Sequence, residues 1–115
     1  MGGMKSIYIA GPMSGKADYG RRDFCAAESY LKAKGWIVIN PACLPIGLAP
    51  EAYMPICLAM VQAADAVVLL NGWGDSQGAR LEAEYAETQG KTLIYGLEET
   101  PDADAFEPFQ RDRRA

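Results

Sequence analysis

Four short apolar runs alternate with three helical stretches along this chain, and that order leaves few folds open. Residues 6–10 (Ser-Ile-Tyr-Ile-Ala), 36–39 (Trp-Ile-Val-Ile), 66–70 (Ala-Val-Val-Leu-Leu) and 92–95 (Thr-Leu-Ile-Tyr) read as strands. The spacing predicts helices over about residues 19–34, 51–63 and 77–89, with Phe24, Ala27, Tyr30 and Leu31 on the buried face of the first. Gly35 and Gly90 supply stop signals. Pro55 implies that the second helix becomes regular only near that residue, with proline in its first turn. Strands separated by helices demand parallel pairing through right-handed crossovers. The continuous apolar run at 66–70 implies a sheet covered on both faces. The expected fold class is α/β: one doubly wound, flavodoxin- or Rossmann-like parallel sheet of about four strands with helices on both faces.

A chain of 115 residues is long enough for one core without staples. The domain is expected to occupy residues 1–97. Residues 98–115 hold six acids against three arginines, so most of the net charge of −4 falls in this tail. Rich in proline and acids, the tail has little core-forming potential and is expected to be ordered only against a neighbour. A nearly neutral body offers no surface for a phosphate backbone, which argues against a nucleic-acid polymer as partner. No apolar run is long enough for a bilayer, no secretory signal is visible, and no membrane partner is expected. Three cysteines without a CxxC pair suit reduced thiols, and a cytoplasmic location is the expectation. The absence of histidine excludes a Ser-His-Asp triad, a Cys-His pair and any histidine zinc site. Chemistry must rest on carboxylates, hydroxyls, thiols, lysines or backbone groups.

Helical phase singles out one carboxylate. At roughly 100° per residue, Ala79, Ala83 and Ala86 share a side of the third helix that Leu81 and Tyr85 extend. Glu82 falls inside that arc, whereas Arg80, Glu84 and Glu87 lie opposite, where Arg80 and Glu84 can pair. A carboxylate among apolar groups costs free energy unless paired, hydrogen-bonded or protonated. Such positions are enriched in function, although a buried structural acceptor or an interface residue fits the pattern too. Just before it, Gly72, Gly74 and Gly78 allow close backbone approach, and Ser76 is a natural N-cap. With Ala79 three residues on, no capping-box glutamate covers the helix start, so its amides could meet an anion or a hydroxyl. An ordinary glycine-rich turn explains the same residues. The loop after the first strand, Gly11 to Gly15, has neither GxGxxG spacing nor a P-loop lysine. Trp73 suits either stacking on a base or covering the sheet edge. Asp65 reads as a cap or turn residue, and Arg21 and Arg22 as solvated surface that could meet an anion.

Taken together, residues 8–15 (Tyr-Ile-Ala-Gly-Pro-Met-Ser-Gly) and 69–86, with Ser76-x-Gly78-x-x-x-Glu82 at their centre, resemble the small nucleoside 2-deoxyribosyltransferase-like proteins of bacteria and phages. Deoxyribonucleotide N-glycosidases carry a run of the same spacing. The resemblance implies that Glu82 attacks C1′ of a deoxyribose and displaces the base, after which a second base or water takes the sugar. It implies that Ser76 and Gly78 hold the 5′ end or its phosphate, that Gly11 and Gly15 line the pocket, and that Tyr8, Pro12, Ser14, Trp73 and Asp75 complete the binding set. No metal or organic cofactor is implied. A nucleoside or nucleotide is the expected small-molecule partner, and a homo-oligomer, dimer or higher, is the expected assembly. Two positions differ from the group's pattern: Cys57 stands where active members carry aspartate, and Ser14 where nucleotide-selective members carry arginine. The alternative they raise is a weak or inactive binder of a nucleotide-derived ligand. A third group, phosphoribohydrolases resembling lysine decarboxylases, also sets a glutamate after a glycine-rich turn, but its PGGxGT signature is absent.

Overall fold

The computed structural model describes residues 4–107. Strands β1 (Ser6–Ala10), β2 (Ile37–Ile39), β3 (Ala66–Leu69) and β4 (Thr92–Tyr95) form one parallel sheet in the order β2-β1-β3-β4. Helices α1 (Arg21–Ala33), α2 (Pro50–Ala63) and α3 (Gln77–Thr88) make the three crossovers. Successive side chains of a strand point to opposite faces. β1 therefore sends Ile7 and Ile9 to one face, where they meet Phe24, Ala27 and Leu31 of α1. Its Tyr8 and Ala10 go to the other, against Cys57 and Val61 of α2 and Ala83 and Ala86 of α3. β3 divides likewise, Ala66 and Val68 from Val67 and Leu69. This is the doubly wound α/β sheet expected from the strand–helix alternation.

Register is pinned at the amino edge by Asp65. Its carboxylate accepts from the Ser6 N–H (2.8 Å) and hydroxyl (3.2 Å), and its own N–H donates to Ser6 Oγ (3.1 Å). That fits the cap or turn role expected of it. At the carboxyl edge the topology makes a crevice. From β1 the chain moves one way to β2, then crosses back to β3 on the other side of β1. Where strand order reverses, loops diverge and ligands bind in the gap. The loops after β1 and β3 flank that gap.

Three expectations need correction. α2 is already regular from Pro50, so Pro55 lies inside it. Pro55 cannot bond the Glu51 carbonyl, but both residues are exposed, so water can serve that carbonyl. The early start is held by Tyr53, whose hydroxyl donates to Pro45 O (2.6 Å) and accepts from Leu48 N–H (3.1 Å). Secondly, Tyr30 is exposed at the margin of the α1 face, with Lys34 Nζ 5.5 Å from its ring centre.

The third correction concerns the tail. Ala103 and Phe106 are buried in the core on the α1 side of the sheet. Lys5 Nζ donates to the Phe106 carbonyl (3.0 Å), Trp36 Nε1 to that of Pro101 (3.0 Å), and Ala103 N–H to that of Lys34 (2.9 Å). Two well-placed apolar residues suffice to dock a polar segment whose backbone groups find partners. The tail's remaining stretch, 108–115, lies outside the described residues.

Candidate active site

The crevice at the switch point is a cleft of about 790 Å³. Three loops build it. The loop after β1 contributes Gly11, Pro12 and Ser14, and the segment from Gly72 through the start of α3 contributes Asp75, Ser76 and Gly78. The loop after β2 closes the remaining side with a mostly apolar wall from Pro41 to Leu48. Asn40 orders the start of that wall: its side chain accepts from Ala42 N–H (2.8 Å) and donates to Glu28 (2.9 Å) on α1.

Glu82 lies at the floor. Ser76 caps α3, its hydroxyl accepting from Ala79 N–H at 3.2 Å, and this sets the helical phase that turns Glu82 inward. Only 7% of Glu82 is exposed, yet it lines the cleft. Beside it stand the Tyr8 hydroxyl, from β1, and the Cys57 thiol, from α2. Tyr8 Oη has no partner at hydrogen-bonding geometry, although Cys57 and Glu82 both act on it. The three groups form a close polar cluster rather than a closed hydrogen-bond network.

Burial governs their protonation. It pushes Glu82 up to about 7, against the opposing pull of the Tyr8 and Cys57 donors. Burial also raises the Cys57 thiol to about 11, with the Tyr8 hydroxyl opposing and the Glu82 charge adding. Tyr8 is raised by burial first, then by the Glu82 charge. The site thus holds one carboxyl that changes charge near neutrality between two donors that keep their protons. As an anion that carboxyl can attack an electrophilic carbon or stabilise positive charge on it.

Of the residues singled out from sequence, Gly11, Pro12, Ser14, Asp75, Ser76, Gly78, Cys57 and Glu82 come together on this cleft. Tyr8 is wholly buried and meets the site from beneath, through its hydroxyl. Gly15 is exposed and outside the lining. Trp73 is also outside it; its indole packs against Tyr95, with ring centres 6.0 Å apart. Arg80 donates to Gly74 O at 3.3 Å, a contact with the preceding loop in place of the expected Glu84 pairing. Arg21 does reach the cleft, where its guanidinium donates to Leu44 O at 3.1 Å, whereas Arg22 does not line it. Sequence reasoning missed Tyr19, Tyr53, Met54 and the wall after β2. The signal was present: a loop following β2 falls at the same carboxyl edge as the other two. Among the described residues, no group of three or more His, Cys, Asp or Glu converges in a way that could hold a metal ion. None of their helices is long and apolar enough to cross a membrane.

A parallel α/β sheet with an acid-floored cleft at its switch point defines a small α/β domain with a candidate ligand site. The chain belongs to the family described as Domain of unknown function (DUF4406), whose model matches residues 5–95. No curated protein matches it. Among solved structures it is similar to the 2-desoxiribosyltransferase from Leishmania mexicana, with a TM-score of 0.65 and 25% identity over 79% of this chain and 63% of that one. It is also similar to the Clostridium botulinum CMP N-glycosidase BcmB, with a TM-score of 0.57 and 18% identity over 79% of this chain and 67% of that one. The second likeness bears on the fold alone. The chain spans 63% of the length of the first of these enzymes. The resemblance carried by the motifs is thus matched by a likeness of structure to a deoxyribosyltransferase.

Proposed function

We propose that this protein cleaves or exchanges the base–sugar bond of a nucleoside or nucleotide, with Glu82 as the nucleophile. The observation that carries this reading is a single buried carboxyl, raised to about 7, on the floor of a cleft large enough for a nucleoside. In the ionised form, a Glu82 oxygen attacks the anomeric carbon and the base departs. A second base or water then takes the sugar and frees the carboxylate. Ser76 and the start of α3 hold the sugar's 5′ end, where the first amides of a helix have no intrahelical acceptor. Gly11, Pro12 and Ser14 form the facing wall. The 2-desoxiribosyltransferase likeness supports this assignment of chemistry. A homo-oligomer acting in the cytoplasm remains part of the proposal.

Incubation with ribo- and deoxyribonucleosides, their 5′-monophosphates and N-alkylated nucleosides, with and without a second free base, tests the reading. Chromatography should show base release or exchange that falls by roughly 10³-fold in Glu82→Ala. Release that survives this substitution overturns the nucleophile. A second reading, a binder of a nucleotide-derived ligand without turnover, is favoured by Cys57, a thiol that holds its proton beside the nucleophile. Saturable binding with no release from any substrate would decide for it.

A further inference from the structure

Breaking the C1′–N bond of a neutral nucleoside sends an electron pair onto the base, and an accompanying proton from a general acid is worth roughly 10²–10⁴ in rate. The cleft is poor in groups that could supply it. Its ionisable lining, among the described residues, is Arg21, Cys57, Asp75, Glu82 and the tyrosines 19 and 53. Arginine does not surrender a proton in proteins. The Tyr53 hydroxyl is committed to Pro45 O at 2.6 Å. Cys57 and, beneath it, Tyr8 are the donors nearest Glu82, and burial makes both hold their protons more tightly. Asp75 and Tyr19 are exposed, and neither acts on Glu82 as Cys57 and Tyr8 do. With Glu82 ionised, the state that attacks, two carboxyls outnumber the one arginine, whose guanidinium is directed at Leu44 O (3.1 Å). Such a lining favours a cation.

Tyr19 adds a platform. It is the one described non-glycine residue with positive φ, at 56°, and it lines the cleft while 49% exposed. A bulky residue in the left-handed region costs free energy and persists only where its surroundings impose it. Here the Tyr19 N–H bonds Lys16 O (3.1 Å), and the Asp18 carboxylate takes the Gly20 (3.1 Å) and Arg22 (3.0 Å) N–H groups on either side of the α1 start. An aromatic ring attracts a cation and stacks on a heterocycle.

From these features we infer the substrate class: N-glycosides whose base is a cationic, N-substituted aromatic heterocycle, stacked against Tyr19 and released as a neutral molecule. The inference rests on Glu82 acting as the nucleophile. A Glu82 carboxylate oxygen donates a pair to C1′, and the C1′–N⁺ bond breaks. Its electron pair returns to the ring nitrogen and cancels the positive charge, so the base leaves without a proton from the protein. Water then attacks C1′, the glycosyl ester opens to regenerate the carboxylate, and the water's proton passes to solvent.

The test measures kcat and KM of the full chain on a ribosyl pyridinium nucleoside and 7-methylguanosine against cytidine and guanosine, with deoxy counterparts, each relative to its own uncatalysed rate. The cationic substrates should be favoured by about 10²-fold or more, the order of the general-acid contribution that they do without. Tyr19→Ala should raise KM for them with little change in kcat, and Tyr19→Phe should restore it. Cys57→Asp, by supplying an acid, should narrow the gap by raising the neutral-base rate. Neutral nucleosides turned over as well as cationic ones, with Glu82→Ala inactive, would overturn the substrate class and leave the nucleophile standing. Release from neither class, or release indifferent to Glu82→Ala, would overturn both.

Discussion

Glu82 titrates against the fold that buries it. An unperturbed glutamate ionises near 4.5, whereas burial pushes Glu82 up to about 7. Between those values the folded protein keeps a proton that the unfolded chain has released. Its stabilising contribution, whole below about 4.5, is lost as pH rises to about 7. The loss amounts to roughly 3 kcal/mol. Glu82→Gln removes this titration and nearly keeps the shape, so its margin over wild type should grow by roughly 2–3 kcal/mol between pH 5 and pH 8. Urea unfolding at the two pH values measures it, and a margin that stays constant would mean that Glu82 is not raised. On the proposed mechanism the ionised form attacks, so turnover should fall as pH drops through about 7. The inward phase of Glu82 was legible because helical geometry is local. The Tyr8 hydroxyl beneath it was legible only through the motif resemblance, since it arrives from another element and only the stacking of α2 and α3 on the sheet brings it there.

Element starts show where local signals suffice. Ser76 caps α3 as its residue type suggests, because the acceptor and the N–H it serves are three residues apart. The start of α1 lies two residues beyond the expected one: Tyr19 and Gly20 both adopt left-handed backbone before the helix opens at Arg21. Asp18 imposes that turn, its carboxyl held below the usual range by the Arg22 N–H and then the Gly20 N–H. Gly20 has a second constraint, since an added Cβ would lie 2.7 Å from Pro12 O at a φ of +75°. Gly15 has a similar φ of +85° but nothing within 4 Å of such a Cβ. Gly15→Ala should therefore cost about 1 kcal/mol of backbone strain alone. Gly20→Ala should cost roughly 2 kcal/mol or more, because backbone must also move. Equilibrium unfolding of the two variants compares them. The displaced Pro12 lines the cleft, so Gly20→Ala should also weaken ligand binding. Equal losses would show that the clash with Pro12 is relieved freely.

At the scale of the molecule, the Glu82 cluster and the Phe106 segment lie on opposite faces of the sheet. Tyr8, Cys57 and Glu82 share the face covered by α2 and α3. The other face carries α1 and the segment ending at Phe106. Composition hid that segment's part in the core, because acids and proline outnumber its apolar residues while the two that matter, Ala103 and Phe106, meet a surface formed by distant residues. Phe106 is 5% exposed and its ring centre lies 5.1 Å from that of Trp36. Emptying such a position costs about 3–5 kcal/mol, a large share of the roughly 5–15 kcal/mol that holds a domain together. Phe106→Ala should lower unfolding free energy by about that amount, measured in urea. On the proposed function it should leave base release per folded molecule near the wild-type level, since Phe106 packs against Trp36 and Lys5 at the amino edge of the sheet and the cleft opens at the carboxyl edge. A fall in turnover at a temperature where the variant is still folded would show that the covering of one face sets the geometry of the other, and the cleft would then have to be treated as a property of the whole sandwich rather than of α2, α3 and the loops beyond the sheet.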